Sequence, residues 1–285
     1  MLKNTFIHVP GIGPKTEASF WKQGVWDWED FFDDTALRLP ETRRDVIAEA
    51  LNESRRQLKA GNPAFFTDRM PASQHWRLFA QLCGRVAYLD IETTGLDNTC
   101  SISTIALYDG STMATYVHGT NLNDFIKDIK QYDLLVTYNG KCFDVPFIER
   151  TFGQRLDHAH IDLRYVLAGL GLKGGLKRCE IQMGLDRGAL EDVDGVFAVV
   201  LWNGYLRNRD EQALETLLAY NLQDVINLEL LMVSAYNIKV AQTPFRQSHL
   251  LPLPAVPENP IPIHRRTLDR YRREAAFIRS LQPQH

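Results

Sequence analysis

Two acids separated by a single residue close an apolar run in this chain, where Val86-Ala87-Tyr88-Leu89 leads into Asp90-Ile91-Glu92. Side chains on a strand alternate between faces, so Asp90 and Glu92 emerge on the same face at the same end. Further on, LETLLAYNLQDVINLELLM carries leucines at helical period, and Tyr220 and Asp224, four apart, project from one face of that helix. A helix crossing the strand's sheet completes the cluster. Between the two lies a third acidic position, Asp144 in YNGKCFDVPFI.

Carboxylates a few ångströms apart raise one another's pKa and cannot all stay ionised without cations. Asp and Glu, with no His or Cys among them, suit Mg²⁺ or Mn²⁺, which prefer oxygen ligands and accept water and phosphate oxygens beside one or two carboxylates. Two such ions, about 3.5–4 Å apart, can activate a water and stabilise the leaving oxygen of an in-line displacement at phosphorus. The candidate metal ligands are Asp90, Glu92, Asp144 and Asp224, and the expected cofactors are two divalent metal ions, Mg²⁺ or Mn²⁺.

Three motifs in order carry a resemblance: D-x-E-T-T-G-L at 90–96, N-G-x-x-F-D-x-P-F at 139–147 and Y-x-x-x-D at 220–224. Over roughly residues 85–235 the chain resembles the DEDD-type 3′–5′ exonucleases, which include the proofreading domains of DNA polymerases. The tyrosine of the third motif resembles the DEDDy branch, and within it the chain is most similar to the YprB-like ribonuclease-H-like proteins. The resemblance implies an α/β fold, a ribonuclease-H-like mixed central sheet flanked by helices. It implies a 3′–5′ exonuclease acting on single-stranded or frayed DNA or RNA ends. By the same resemblance Asp90, Glu92 and Asp224 bind the metal nearer the nucleophile, Asp90 bridges to the second, and Asp144 holds that second ion largely through water. Tyr220 orients or helps deprotonate the attacking water. Thr93, Thr94 and Leu96 touch the terminal nucleotide, and Asn139 and Phe143 flank it with an aromatic, sequence-tolerant grip. The alternatives are a ribonuclease or structure-specific nuclease on the same scaffold, or a non-catalytic nucleic-acid-binding protein.

Periodicity divides the chain into three segments. Residues 1–75 read as helical without a strand signal, and Val46, Ile47, Ala50, Leu51 and Leu58 form an apolar stripe. Residues 76–240 hold the motifs: three β-rich runs, the last two joined through Asp109-Gly110, then a helix at 122–131, the strand DLLVTY, a helix from about 143 to 152, the strand HAHIDL and three helical stretches to about 237. Residues 241–285 are a connection with six prolines at 243–263 and a basic helix striped by Leu268, Tyr271, Ala275 and Ile278. Net charge is −3, and acids outnumber bases 21 to 15 over 76–240, so phosphate affinity must come from local patches and bound metals. No apolar run approaches a membrane span and MLKNTFIHVPGIG lacks a signal-peptide core, so the expected setting is cytoplasmic, without a membrane partner. Cys83, Cys100, Cys142 and Cys179 form no C-x-x-C pair and read as reduced core residues.

Two glycine-rich turns have open readings. Val9-Pro10-Gly11-Ile12-Gly13-Pro14-Lys15 resembles the hairpin of helix-hairpin-helix modules, with Gly11, Gly13 and Lys15 as phosphate contacts, or it is a structural turn, since only nine residues precede Pro10. Gly174-Gly175-Leu176-Lys177 either brings backbone close to a phosphodiester, with Lys177 as a positioning charge, or is a flexible connection. Asp162 reads as a helix N-cap.

Overall fold

A computed structural model describes residues 1–281 apart from 34–36, 96–98, 186 and 192. After a single 3₁₀ turn at Leu2–Asn4 the N-terminal region folds into α1 (Pro14–Lys22), α2 (Trp28–Asp33) and α3 (Glu41–Lys59). Gly13 caps α1 and Pro14 occupies its first turn, where the missing N–H is no loss. Phe6, Phe20, Trp28, Phe31, Ile47, Leu51 and Phe66 form the core of this region. The stripe predicted on α3 needs one correction, because Val46 is 53% exposed. The buried line runs Ile47, Leu51, Ser54, and Val46 lies about 100° around the helix from Ile47.

Five strands follow: β1 (Val86–Thr93), β2 (Ile102–Tyr108), β3 (Met113–Val117), β4 (Leu134–Thr137) and β5 (Ala159–Asp162). Their order in the sheet is β3-β2-β1-β4-β5. β1 pairs antiparallel with β2 and parallel with β4, which places it at the centre. Being covered on both faces, β1 reads as a continuous apolar run until its acids. Val86, Tyr88, Ala106, Tyr108, Leu134 and Val136 form one inner face. Ala87, Leu89, Ile91, Ile105, Leu107 and Leu135 form the other.

The second face is covered by α4 (Asp144–Phe152), through Phe147 and Ile148, and by the 122–131 segment. That segment is not the continuous helix its sequence predicts. It breaks into short turns at Leu122–Asp124, Phe125–Asp128 and Ile129–Gln131, which lay Leu122, Phe125 and Ile129 on the sheet. After β5 come α5 (Leu163–Ala168), α6 (Leu176–Gln182), α7 (Gly195–Asn208) and α8 (Glu211–Ala241), four helices where the periodicity predicts three. Leu222, Val225 and Ile226 of α8 cover the first face.

The proline-rich stretch returns along α8: the Asn237 amide donates to the Leu251 carbonyl at 2.8 Å and the Asn259 amide to that of Ala219 at 2.7 Å. It delivers α9 (Arg265–Leu281) against α7 and α8 through Leu268, Tyr271 and Ala275. A Cβ on Gly204 of α7 would lie 2.4 Å from the Tyr271 hydroxyl oxygen, so only glycine lets that ring dock. Of the cysteines only Cys179 is buried, contrary to the core reading, while Cys83 and Cys142 are exposed. Among the described residues, no helix is long and apolar enough to cross a membrane.

Candidate active site

The alternation that buries Val86 and Tyr88 continues to Asp90 and Glu92, so both acids face α8. A register shift between Glu92 and Thr93 ends regular pairing with β2 at this point. α8 presents Tyr220 and Asp224 from one face, and one carboxylate oxygen each from Asp90, Glu92 and Asp224 lies within 4.8 Å of the others. Asn221, also on α8, donates from Nδ2 to Asp90 Oδ2 at 2.7 Å and accepts from the Thr104 hydroxyl at 3.0 Å.

Asp144 is not a member of this group of three. As the first residue of α4 it belongs to the opposite layer, and its Oδ1 accepts from the Ile91 backbone amide at 3.2 Å. The helix that Asp144 opens packs through Phe147 and Ile148 on the face of the sheet opposite α8. Asp144 is close enough for its charge to help raise the pKa of both Asp90 and Glu92.

At an effective dielectric of about 20, two like charges near 5 Å repel by roughly 3 kcal/mol. Burial is the largest influence on every acid here, and the neighbours add to it. Asp90 and Glu92 are pushed well above the ordinary carboxylate range by burial, then by Asp224 and Asp144. Burial lifts Asp144 to about 7, against its own and Ile91's amides. Asp224 is lifted by burial to about 6 while Arg187 pulls it down. The Tyr220 phenol is raised by burial and then by Asp224 and Glu92, so it stays protonated at neutral pH. A donor set made only of carboxylates, each resisting ionisation, fits a hard divalent cation.

Asp90, Glu92 and Asp224 open on a cleft of about 1120 Å³, also lined by Tyr220, Tyr138, Asn139, Arg164, Tyr165 and the Gly174–Gly175 turn. Asn139 has a left-handed φ of 67°, a conformation that asparagine adopts more readily than most residues with a Cβ. Asp162 holds this wall: it caps α5 by accepting from the Arg164 amide at 3.0 Å, and also accepts from the amides of Asn139 at 2.8 Å and Lys141 at 3.1 Å. Gly140 is required beside them, since a Cβ there would sit 2.3 Å from Thr137 Oγ1.

The remaining predicted positions fall at varying distances from this centre. Thr93 is buried and donates to the Gly95 carbonyl at 2.5 Å. Thr94 is exposed and its hydroxyl accepts from the Ser101 amide at 3.1 Å, while Leu96 lies outside the described residues. Phe143 packs on Phe147 at 4.8 Å between ring centres and is not among the residues lining the cleft. Lys177 donates to the Glu191 carbonyl at 2.6 Å and lines a smaller cavity with Glu180 and Arg187. Gly11, Gly13 and Lys15 are exposed on the N-terminal hairpin, which is anchored by the buried Val9 and Ile12.

Arg187, Glu180 and Asn221 escape the sequence reading. Arg187 meets Asp224 Oδ1 at 2.5 Å and also pairs with Glu180, and Glu180 accepts from Asn227 Nδ2 at 2.8 Å. Asn221 and Asn227 lie three residues either side of Asp224, a spacing that puts all three on one helix face and was readable in advance. Arg187 sits in an irregular segment with no such spacing.

No curated protein matches the chain. Among solved structures it is similar to the family B DNA polymerase from the hyperthermophilic archaeon Pyrobaculum calidifontis, at 19% identity and a TM-score of 0.41, over 55% of this chain and 24% of the polymerase. The sequence profile of the RNase H superfamily matches residues 87–236, which contain β2 to β5, all of β1 but Val86, and all four acids. The chain belongs to the RNase H superfamily.

Proposed function

We propose that the protein is a metal-dependent nuclease of the DEDDy type that removes nucleotides in the 3′→5′ direction from single-stranded or frayed DNA or RNA ends. The observation that carries this reading is the convergence of Asp90, Glu92 and Asp224 within 4.8 Å on the wall of an open cleft. Asp90, Glu92 and Asp224 would hold one divalent ion, and Asp144, with Asp90, a second. When bound, Mg²⁺ or Mn²⁺ supplies an activated water and charge stabilisation for the leaving oxygen.

The chain's own groups do the positioning. Tyr220 keeps its proton and orients the attacking water by hydrogen bonding. Asn221 fixes Asp90 through Oδ2. Tyr138 and Tyr165 offer ring faces for bases, and Arg164 and the Gly174–Gly175 amides face the phosphate path. Thr93, Thr94, Leu96 and Asn139 border the terminal nucleotide, with Phe143 backing that wall through Phe147, and Lys177 adds positive charge nearby. Residues 76–240 carry the reaction, and 1–75 and 241–285 brace it. The exposed Gly11, Gly13 and Lys15 hairpin grips a phosphate remote from the cleaved bond.

The test uses end-labelled DNA and RNA strands of both polarities with Mg²⁺, Mn²⁺ or EDTA. Stepwise shortening from the 3′ end that EDTA abolishes is expected. Shortening from the 5′ end would overturn the polarity, and cleavage that persists in EDTA would overturn the metal requirement.

A further inference from the structure

Arg187 stands behind Asp224. Asp224 lines the large cleft, whereas Arg187 lines the smaller cavity shared with Glu180. Only 9% of Arg187 is exposed. Its Nη1 lies 2.5 Å from Asp224 Oδ1 as a buried ion pair, and Nη2 has no hydrogen-bond partner among the described residues. Nε is held by Glu180, which is itself fully buried and fixed by Asn227 at 2.8 Å. Asn227 belongs to α8, one turn beyond Asp224. The guanidinium is thus tied to the helix that carries Asp224 through Glu180 and Asn227, although its backbone lies between α6 and α7.

The charges of Arg187 and Glu180 cancel, so the pair changes the net charge of the acidic centre little. What the guanidinium contributes is direction: it occupies one oxygen of Asp224 from behind. Groups that orient a metal-ligating carboxylate typically matter by about 10- to 100-fold in metal affinity or activity.

We propose that Arg187 is a positioning residue for Asp224: anchored by Glu180 and Asn227, it fixes the rotation of the Asp224 carboxylate so that its second oxygen faces a divalent cation shared with Asp90 and Glu92. The inference rests on the metal-dependent reading above. It also has an opposite, in which Arg187 is a competing cation that metal must expel, and the two predict opposite signs.

Mn²⁺ binding to the full chain distinguishes them. The variants are the doubly neutral Glu180→Gln/Arg187→Gln, which leaves no buried lone charge, Arg187→Lys, and Asn227→Ala, which removes the anchor alone. Melting in EDTA shows which variants are folded. The double variant is expected to bind Mn²⁺ about 10- to 100-fold more weakly, with kcat reduced and KM within a few-fold. Lysine keeps the charge without the fork needed to span two carboxylates, so it should recover only part. Should the double variant not fold, Asn227→Ala decides, with weakening of roughly threefold or more expected by the same orientation argument. In the variant that decides, Mn²⁺ affinity equal to or tighter than wild type overturns the proposal, because a purely structural role would lower Tm without moving the affinity of the folded protein. A wild-type chain that binds no Mn²⁺ overturns the metal reading and this inference with it, whereas wild-type binding with an unaffected variant overturns this inference alone.

Discussion

Two of the places where the fold buries carboxylates treat them in opposite ways. In the N-terminal region Glu17 is 1% exposed and saturated with donors: the Thr5 hydroxyl at 2.8 Å, the Phe6 amide at 2.7 Å and Arg77 at 2.8 Å. Arg77 is in turn held beside Trp21 and Trp76. In the cleft, Asp90, Glu92 and Asp224 point oxygens at one another, with Asn221 and Arg187 each bonding or pairing with one acid. A satisfied buried acid stabilises a fold, while buried acids that face one another mark a candidate ligand site.

The sharpest way to break this contrast is to remove Glu17. Glu17→Ala leaves Arg77 buried and unpaired, so stability should fall by about 3–5 kcal/mol, measured by denaturant melts, with Mn²⁺ affinity of the folded fraction unchanged. A change in metal affinity at intact stability would erase the distinction. Asp90→Ala, Glu92→Ala, Asp144→Ala and Asp224→Ala should behave in the reverse manner. Each should lower turnover at least about a hundredfold, roughly 2.7 kcal/mol of transition-state stabilisation. In EDTA their melting temperatures should hold or rise, since repulsion is relieved. Two of the four retaining near-wild-type rates in Mg²⁺ while still sensitive to EDTA would defeat the ligand assignment. Tyr220→Phe should slow the chemical step by about a hundredfold, the low end of acid–base help because the phenol keeps its proton, with substrate affinity within a few-fold by single-turnover kinetics.

Acidity offers a milder probe. Asp144 and Asp224 titrate near about 7 and about 6 in the fold against an ordinary 3.8, so between those values the folded metal-free protein binds more protons than the unfolded chain. The stability from these groups is therefore present below about pH 4 and is lost as pH rises through about 6 to 7. The difference in Tm between Mn²⁺ and EDTA should widen from pH 5 to pH 8, and a constant difference would mean that metal does not bind these acids. The smallest effect belongs to the hairpin. Gly13 has ordinary extended backbone, unlike Gly11 at φ 77°, so Gly13→Val tests close approach without strain. It should raise KM a few-fold on long substrates with a duplex segment and leave a trinucleotide unaffected. Equal damage to both would make the hairpin purely structural.

The parts of the centre readable from sequence are those set by local periodicity. Strand alternation put Asp90 and Glu92 on one face, and helical spacing put Tyr220 and Asp224 on another. The placement of Asp144 was not readable, because it depends on which side of the sheet α4 packs. Arg187 and Glu180 were invisible for a related reason, since their pairing is made between an irregular segment and α6 and leaves no period behind. Val46 misled because a variable-length stripe of apolar residues on a helix does not mark its own centre, which only the packing of Ile47 and Leu51 reveals.

Asp162 ties three backbone amides, those of Asn139, Lys141 and Arg164, from two separate stretches of chain. Mechanically this turns the turn ahead of Asp144 and the start of α5 into one plate. The cleft wall that bears Asn139 and Arg164 therefore shifts as a unit or not at all, and in deuterated water those three amides should exchange together, at the rate at which a single carboxylate lets go.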